Sequence, residues 1–186
     1  IVRRGIGRSF QRSNIFPRLT AFENIHAAVL SQHQESRTFW RGQLSMKEHN
    51  ERTHHILDSV GLLSRRERLG GTLALGDQKR LEIGLALALE PKLMLLDEPT
   101  AGMSAEETHS TAELIKQLAH EFKVTTLFTE HDMAVVFGIA ETIRVLHMGS
   151  FIAEGTPQEI SENPEVQRIY LGEEASPSQA RRIRPE

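Results

Sequence analysis

Apolar positions in this chain follow two rhythms, and the change between them outlines the elements. The short unbroken apolar run Leu93–Leu96 reads as a strand buried on both faces, the pattern of a parallel sheet, and the β-branched and apolar Val124–Phe128 as a second buried strand. Between them, apolar residues recur at helical spacing: Leu114, Ile115 and Leu118 share one face, as do Ile56, Leu57 and Val60 upstream. Helix starts are marked by Ser/Thr followed three residues later by Glu, a capping box. Thr20/Glu23 predicts a helix to about Gln32, Ser45/Glu48 one to about Val60, Ser104/Glu107 one to about Phe122 and Thr156/Glu159 a short one. Gly61 closes the second helix in a left-handed cap, and Pro157 sits at the favoured first position of the last. A helix around Met133 to Ala140 and a third strand from Thr142 to Leu146 complete a strand–helix–strand alternation. That alternation predicts an α/β fold with a parallel sheet.

The first strand runs directly into Asp97 and Glu98 before Pro99 stops it. Open α/β sheets bind ligands outside the carboxyl ends of their strands. Side chains alternate along a strand, so the two acids are expected to do different jobs, one holding a metal ion and one facing a reacting water. A strand ending in a solvated turn accounts for two acids alone equally well. The second strand also ends in polar residues, Thr129-Glu130-His131-Asp132, on the same edge. Upstream, Gly76 and Asp77 precede the apolar helix Leu81 to Leu89. A glycine there lets backbone N–H groups approach an anion at the helix N-terminus; as spacing alone, a plain helix cap explains the same residues. Residues from Ile1 to Phe16 read as extended or loop, and a lone loop Gln11 reads as solvated. Trp40, in the polar stretch His33 to Leu44, reads as a local packing anchor. Adjacent His54 and His55 point in different directions on their helix and read as surface histidines.

Composition narrows this picture. With 186 residues, 39% hydrophobic and 25% charged, the chain is long enough for one domain with a real core. A net charge of −3 provides no basic field for nucleic acid. The absence of cysteine excludes disulfides, thiolate chemistry and Cys-based zinc sites. No apolar run approaches the roughly 20 residues of a membrane span. The chain opens Ile-Val-Arg-Arg-Gly without a Met or a signal peptide, and we expect it to begin inside a longer protein. Past Glu173, a Pro-, Ser- and Arg-rich stretch is expected to be a disordered tail.

These pieces, in this order, resemble the ATP-binding cassette (ABC) ATPases over nearly the whole chain. Leu93–Glu98 resembles the Walker B strand, Gln11 the Q-loop glutamine, and Leu73-Ala74-Leu75-Gly76-Asp77 the signature motif. Ala101-Gly102-Met103-Ser104 resembles the D-loop, and His131 the H-loop histidine. The runs Ala74–Ile83, Thr129–Met133 and Ile169–Glu173 are most similar to cassettes of branched-chain amino acid importers.

The resemblance implies a partial, P-loop NTPase-like domain over 1–172, its parallel sheet flanked by helices. It implies a helical subdomain at about 20–75, a signature helix at about 77–90, a Walker B to H-loop core at about 92–148, and C-terminal helices at about 156–171. It implies ATP and Mg²⁺ as cofactors: Asp97 and Gln11 toward Mg²⁺, Glu98 toward the attacking water, His131 toward the γ-phosphate. In the family, two cassettes sandwich two nucleotides. The signature backbone at Ala74, Leu75, Gly76 and Asp77 then serves the ATP of the opposite subunit, and Gly102, Met103 and Ser104 carry messages between subunits. Implied partners are a second ABC ATPase subunit, transmembrane permease subunits and, indirectly, a solute-binding protein, with no nucleic acid. The implied location is peripheral, on the cytoplasmic face of the membrane.

Three positions depart from the family pattern. Ala74 stands where the signature usually has Ser, and Ser104 where the D-loop commonly has Asp. No GxxxxGK-S/T phosphate loop occurs, and no lysine follows a glycine anywhere in the chain. Backbone amides and a lysine of that loop hold the β- and γ-phosphates in the family. We therefore expect these 186 residues alone neither to bind ATP tightly nor to turn it over. The alternative is a degenerate cassette acting as an interaction or regulatory module. We also expect apolar surface that favours association.

Overall fold

The computed structural model describes residues 6–8, 15–32 and 42–171. Gln11, Trp40 and the tail from 173 onward lie outside the described residues. The chain divides into two compact units, Ile1–Glu130 and His131–Glu186.

The first unit holds a three-stranded parallel sheet in the order β1 (Ile6–Arg8), β2 (Leu93–Asp97), β3 (Thr125–Thr129). Four helices accompany it: α1 (Ala21–Gln32), α2 (Gly42–Ser59), α3 (Leu75–Ala88) and α4 (Ala105–Glu121). The capping box at Thr20 forms as its spacing predicts: Glu23 N–H donates to Thr20 Oγ1 at 3.1 Å, and Thr20 N–H to Glu23 Oε2 at 2.7 Å. The box at Ser45 does not mark a helix start, because α2 begins at Gly42. The signature helix α3 begins at Leu75, two residues before the expected start. Gly61 has φ +73°, the left-handed geometry its place after α2 requires.

Helices α1, α2 and α3 enclose a core of Ile25, Val29, Ile56, Leu57, Val60, Leu81 and Leu87, all buried. Gly84 permits their close approach: a Cβ there would lie 2.9 Å from Ile25 Cδ1 and 3.5 Å from Ile56 Cγ2. Buried Asn24 fastens the preceding segment, accepting from Phe16 N–H at 2.7 Å and donating to the carbonyls of Phe16, Leu19 and Thr20.

Gly7 shows which face of the sheet α3 covers, since a Cβ on it would meet the Ala86 carbonyl oxygen at 3.1 Å. Met94 and Thr126 are in register with Gly7. Alternation therefore directs Met94 and Leu96 under α3, where both are buried, and Leu93, Leu95 and Asp97 to the opposite face, where they are half-buried. The expectation of strands buried on both faces is thus corrected. β2 is fully buried on one face only, and on β3 Leu127 is 60% exposed. β3 pairs with β2 alone among the described strands, so its β-branched composition reports strand formation and not burial.

In the second unit, the strand expected at Thr142–Leu146 forms as β4 (Ile143–His147), but it does not extend the parallel sheet. It pairs antiparallel with β5 (Ser150–Gly155) through a turn in which Met148 and Gly149 have φ +47° and +79°. This two-residue hairpin, unread in the sequence, explains the pairing: antiparallel neighbours need only such a turn. Helices α5 (Met133–Ile139), α6 (Pro157–Glu162) and α7 (Pro164–Val166) complete the unit, followed by one π-helical turn, Gln167–Leu171. The Thr156/Glu159 capping box forms, with Pro157 at the first position.

Candidate functional site

The carboxyl edge of the parallel sheet gathers the polar groups singled out in β2 and β3. Asp97 is the last residue of β2, and its Oδ1 accepts from the Thr129 hydroxyl at 2.6 Å. Glu98 leaves the strand with φ +46°, a left-handed conformation uncommon for a side-chain-bearing residue. Its N–H still continues the ladder, donating to the Thr129 carbonyl at 3.0 Å, while its carbonyl accepts from Ala101 N–H at 3.1 Å. The turn 98–101 therefore redirects the chain immediately after Asp97 and sets the two acids apart.

A second link closes the same edge. Thr100, only 5% exposed, donates its N–H and hydroxyl to Glu130 Oε1 at 3.0 and 2.6 Å. Sequence reasoning missed Thr129, Thr100 and Glu130 as partners. The only signal was the polar ending of β3, which does not say which acid on β2 it faces. His131 begins the second unit as an exposed residue, ahead of Asp132, whose Oδ1 caps α5 by accepting from Ala134 and Val135 N–H.

The signature run lies at the start of α3. Ala74 is the N-cap residue in extended conformation and offers no side-chain cap, so neither Gly76 nor Asp77 is the cap. Asp77 Oδ1 instead lies 3.3 Å from Arg65 Nη1. Gly76 is buried and Leu75 exposed.

The 102–104 segment packs against this start. Gly102 has φ +80°, and a Cβ on it would meet Leu75 Cδ2 at 3.2 Å. Met103 Sδ accepts from the buried Thr111 hydroxyl at 3.5 Å. Ser104 caps α4: Glu107 N–H donates to Ser104 Oγ at 3.4 Å, and Ser104 N–H and Oγ–H donate to Glu107 Oε2 at 3.0 and 2.9 Å. The Ser104 backbone N–H, aided by its hydroxyl, holds the Glu107 carboxyl below its ordinary value.

No group of three or more His, Cys, Asp or Glu able to cage a metal occurs among the described residues. Asp97 still fits Mg²⁺. It is a hard oxygen donor on the ligand edge, and Mg²⁺ typically takes one or two carboxylates and completes its shell with water and phosphate.

A parallel sheet with a redirected acidic turn at its carboxyl edge, flanked by helices, is the architecture of a nucleotide-binding α/β cassette. A family model described as ABC transporter matches residues 1–101, and one described as Branched-chain amino acid ATP-binding cassette transporter matches residues 152–176. The chain is 39% identical over 181 residues to the high-affinity branched-chain amino acid transport ATP-binding protein LivG of Escherichia coli (strain K12), covering 93% of this chain and 70% of LivG. To the lipopolysaccharide export system ATP-binding protein LptB of the same strain it is 32% identical over 172 residues, 92% of this chain and 67% of LptB. Among solved structures, the ADP conformation of the ATP-binding cassette MJ1267 superposes with TM-score 0.72 at 26% identity, over 92% of this chain and 70% of that one. The cbiO1 structure from Clostridium perfringens superposes with TM-score 0.75 at 24% identity, over 89% of this chain and 62% of cbiO1. The chain belongs to the ATP-binding cassette family of ABC transporters.

Proposed function

We propose that these residues form the larger part of an ATP-hydrolysing, energy-coupling subunit of an importer for branched-chain amino acids. The observation that carries this reading is the end of β2: Asp97 held by Thr129, then Glu98 turned away at φ +46°. Asp97 would hold Mg²⁺, which when bound neutralises charge on the phosphates. Glu98 would orient or deprotonate the attacking water, and His131 would stabilise charge at the γ-phosphate. Gln11, outside the described residues, is assigned to Mg²⁺ and γ-phosphate sensing on its motif alone.

The N-terminal amides of α3, with Ala74 to Asp77, would contact the nucleotide of a second cassette, and Gly102 to Ser104 would lie at that junction. Similarity to LivG supports the importer assignment, a permease as docking partner and, indirectly, a solute-binding protein. No helix among the described residues is long and apolar enough to cross a membrane; a peripheral place on the cytoplasmic face is proposed on the similarity to LivG. Lacking GxxxxGK-S/T, the 186 residues by themselves are proposed to bind ATP weakly and to turn over nothing.

Two measurements test this. A chimera supplying a phosphate loop from LivG ahead of these residues should hydrolyse ATP, and Glu98→Gln in it should slow hydrolysis by ~10²–10⁴-fold while Mg²⁺-ATP binding survives. Unchanged turnover would remove Glu98 as the base. Titration of the 186-residue chain with labelled ATP and Mg²⁺ should show no tight binding; micromolar affinity would sink the claim that the loop is essential. Restored leucine uptake when the chimera replaces LivG tests the solute.

A further inference from the structure

Two stretches assigned separate roles in the proposed dimer, the signature run and the D-loop, touch each other within one chain. The contact is narrow. Leu75 meets Gly102, and one turn away the Arg80 guanidinium donates to Ser110 Oγ at 2.6 Å. Between them stands Glu107. One carboxylate oxygen, Oε2, is taken by Ser104 through both N–H and hydroxyl. The other, Oε1, lies 3.1 Å from where a Cβ of Gly76 would be, so a side chain at 76 would press on it and require it to give by a few tenths of an ångström. A single carboxylate thus faces the D-loop with one oxygen and the first turn of α3 with the other.

We propose that Glu107 is a positioning residue that locks the D-loop and the start of the signature helix of one subunit into a single body, so that Ser104 and the N-terminal amides of α3 move together. The functional meaning rests on the ATPase reading above; the mechanical claim does not. The chemistry favours such a lock. The first-turn amides of a 14-residue helix attract negative charge, and Ala74 offers them no side chain. A carboxylate fixed beside Gly76 fills that role electrostatically while capping α4. Arg80 on α3 faces the same carboxylate and favours its charged form; Asp77, also on α3, is paired with Arg65, and Glu106 precedes Glu107 on α4.

The test is an acid titration of the 186-residue chain followed by amide ¹H–¹⁵N resonances. The Ser104 and Gly76 amides should both follow one midpoint, below the ordinary carboxylate range. Glu107→Gln should remove that transition at both positions, and Asp77→Asn should leave it. Ser104→Ala should return the midpoint at Gly76 toward the ordinary value, and Ser104→Thr should restore it. A Gly76 amide that stays flat, or that loses its transition with Asp77→Asn, overturns the proposal, and the wild-type curve alone decides the first of these. No nucleotide is involved, so a failure of the chimera to hydrolyse ATP would remove the proposed function and leave this result standing.

Discussion

The Thr129 hydroxyl donates to Asp97 Oδ1 at 2.6 Å, tying the last residue of β3 to the last residue of β2. With Thr100 bonded to Glu130, it makes two side-chain latches at this edge, one just before the 98–101 turn and one within it. The latches differ in burial. Thr129 is exposed, so Thr129→Val should cost about 1 kcal/mol, the usual net worth of a hydrogen bond. Thr100 is buried, and Thr100→Val leaves Glu130 with only a backbone donor, so about 1–3 kcal/mol should be lost. Urea denaturation of the 186-residue chain measures both; a larger loss for Thr129→Val would reverse the ranking.

Glu98 occupies left-handed backbone, which costs a residue with a Cβ roughly 1–2 kcal/mol. Glycine relieves that strain but loses more entropy on folding and forfeits the side chain's own interactions, so any gain from Glu98→Gly should be at most ~1 kcal/mol. The proposed chimera should lose hydrolysis with the same substitution. On the proposed role of Glu98 as the base, an acid held in left-handed backbone predicts this opposition between stability and activity. Thermal melting together with an ATPase assay checks it, and a clear destabilisation by Glu98→Gly would show that its side chain stabilises the turn by more than the backbone costs.

What could be read from the sequence divides by range. The capping boxes at Thr20, Ser104 and Thr156 depend on atoms three residues apart, and all three form. At Ser45 the same pattern is embedded in a helix that already began at Gly42, so local chemistry did not decide the start. Burial of β3 depends on neighbours distant in sequence, whereas the pairing of β4 turns on the local Met148-Gly149 hairpin that went unread; both readings needed correction: Leu127 is exposed, and β4 turns back on β5. Asp97 and Glu98 could be placed at the carboxyl edge of the sheet because an apolar run leads straight into them. Neither the Thr129 partner of Asp97 nor the Glu130 partner of Thr100 could be matched, because register between β2 and β3 is a tertiary property.

Leu127 is 60% exposed on β3, and in the second unit Phe151 and Met148 are 72% and 92% exposed. Exposed apolar side chains on a strand lacking a second described neighbour favour edge-to-edge association. The 186-residue chain should therefore self-associate with rising concentration in gel filtration. Leu127→Lys should reduce this while changing stability by no more than ~0.5 kcal/mol, since the position is mostly solvated. A wild-type chain that runs as a monomer at all concentrations would contradict the prediction.

His26 couples the α1–α2 pair to pH. Thr53 Oγ1 donates to the His49 carbonyl at 2.7 Å, so its single proton is engaged and it must accept from His26 Nδ1–H, 3.1 Å away. Nε2 is then the nitrogen left to titrate, on a ring stacked on Phe22, which also meets His54. Burial, and secondly the charge of His49, lower the His26 pKa below 6.5. The sign follows: the unfolded chain takes up this proton first, so stability is full above the ordinary histidine value and falls as pH drops from about 6.5 to the folded value, where the loss levels off. The difference between wild type and His26→Gln isolates it. Melting temperatures of the two proteins between about pH 5 and 8 should show the wild type declining more steeply on the acid side. Parallel curves would mean that His26 binds its proton equally well folded and unfolded.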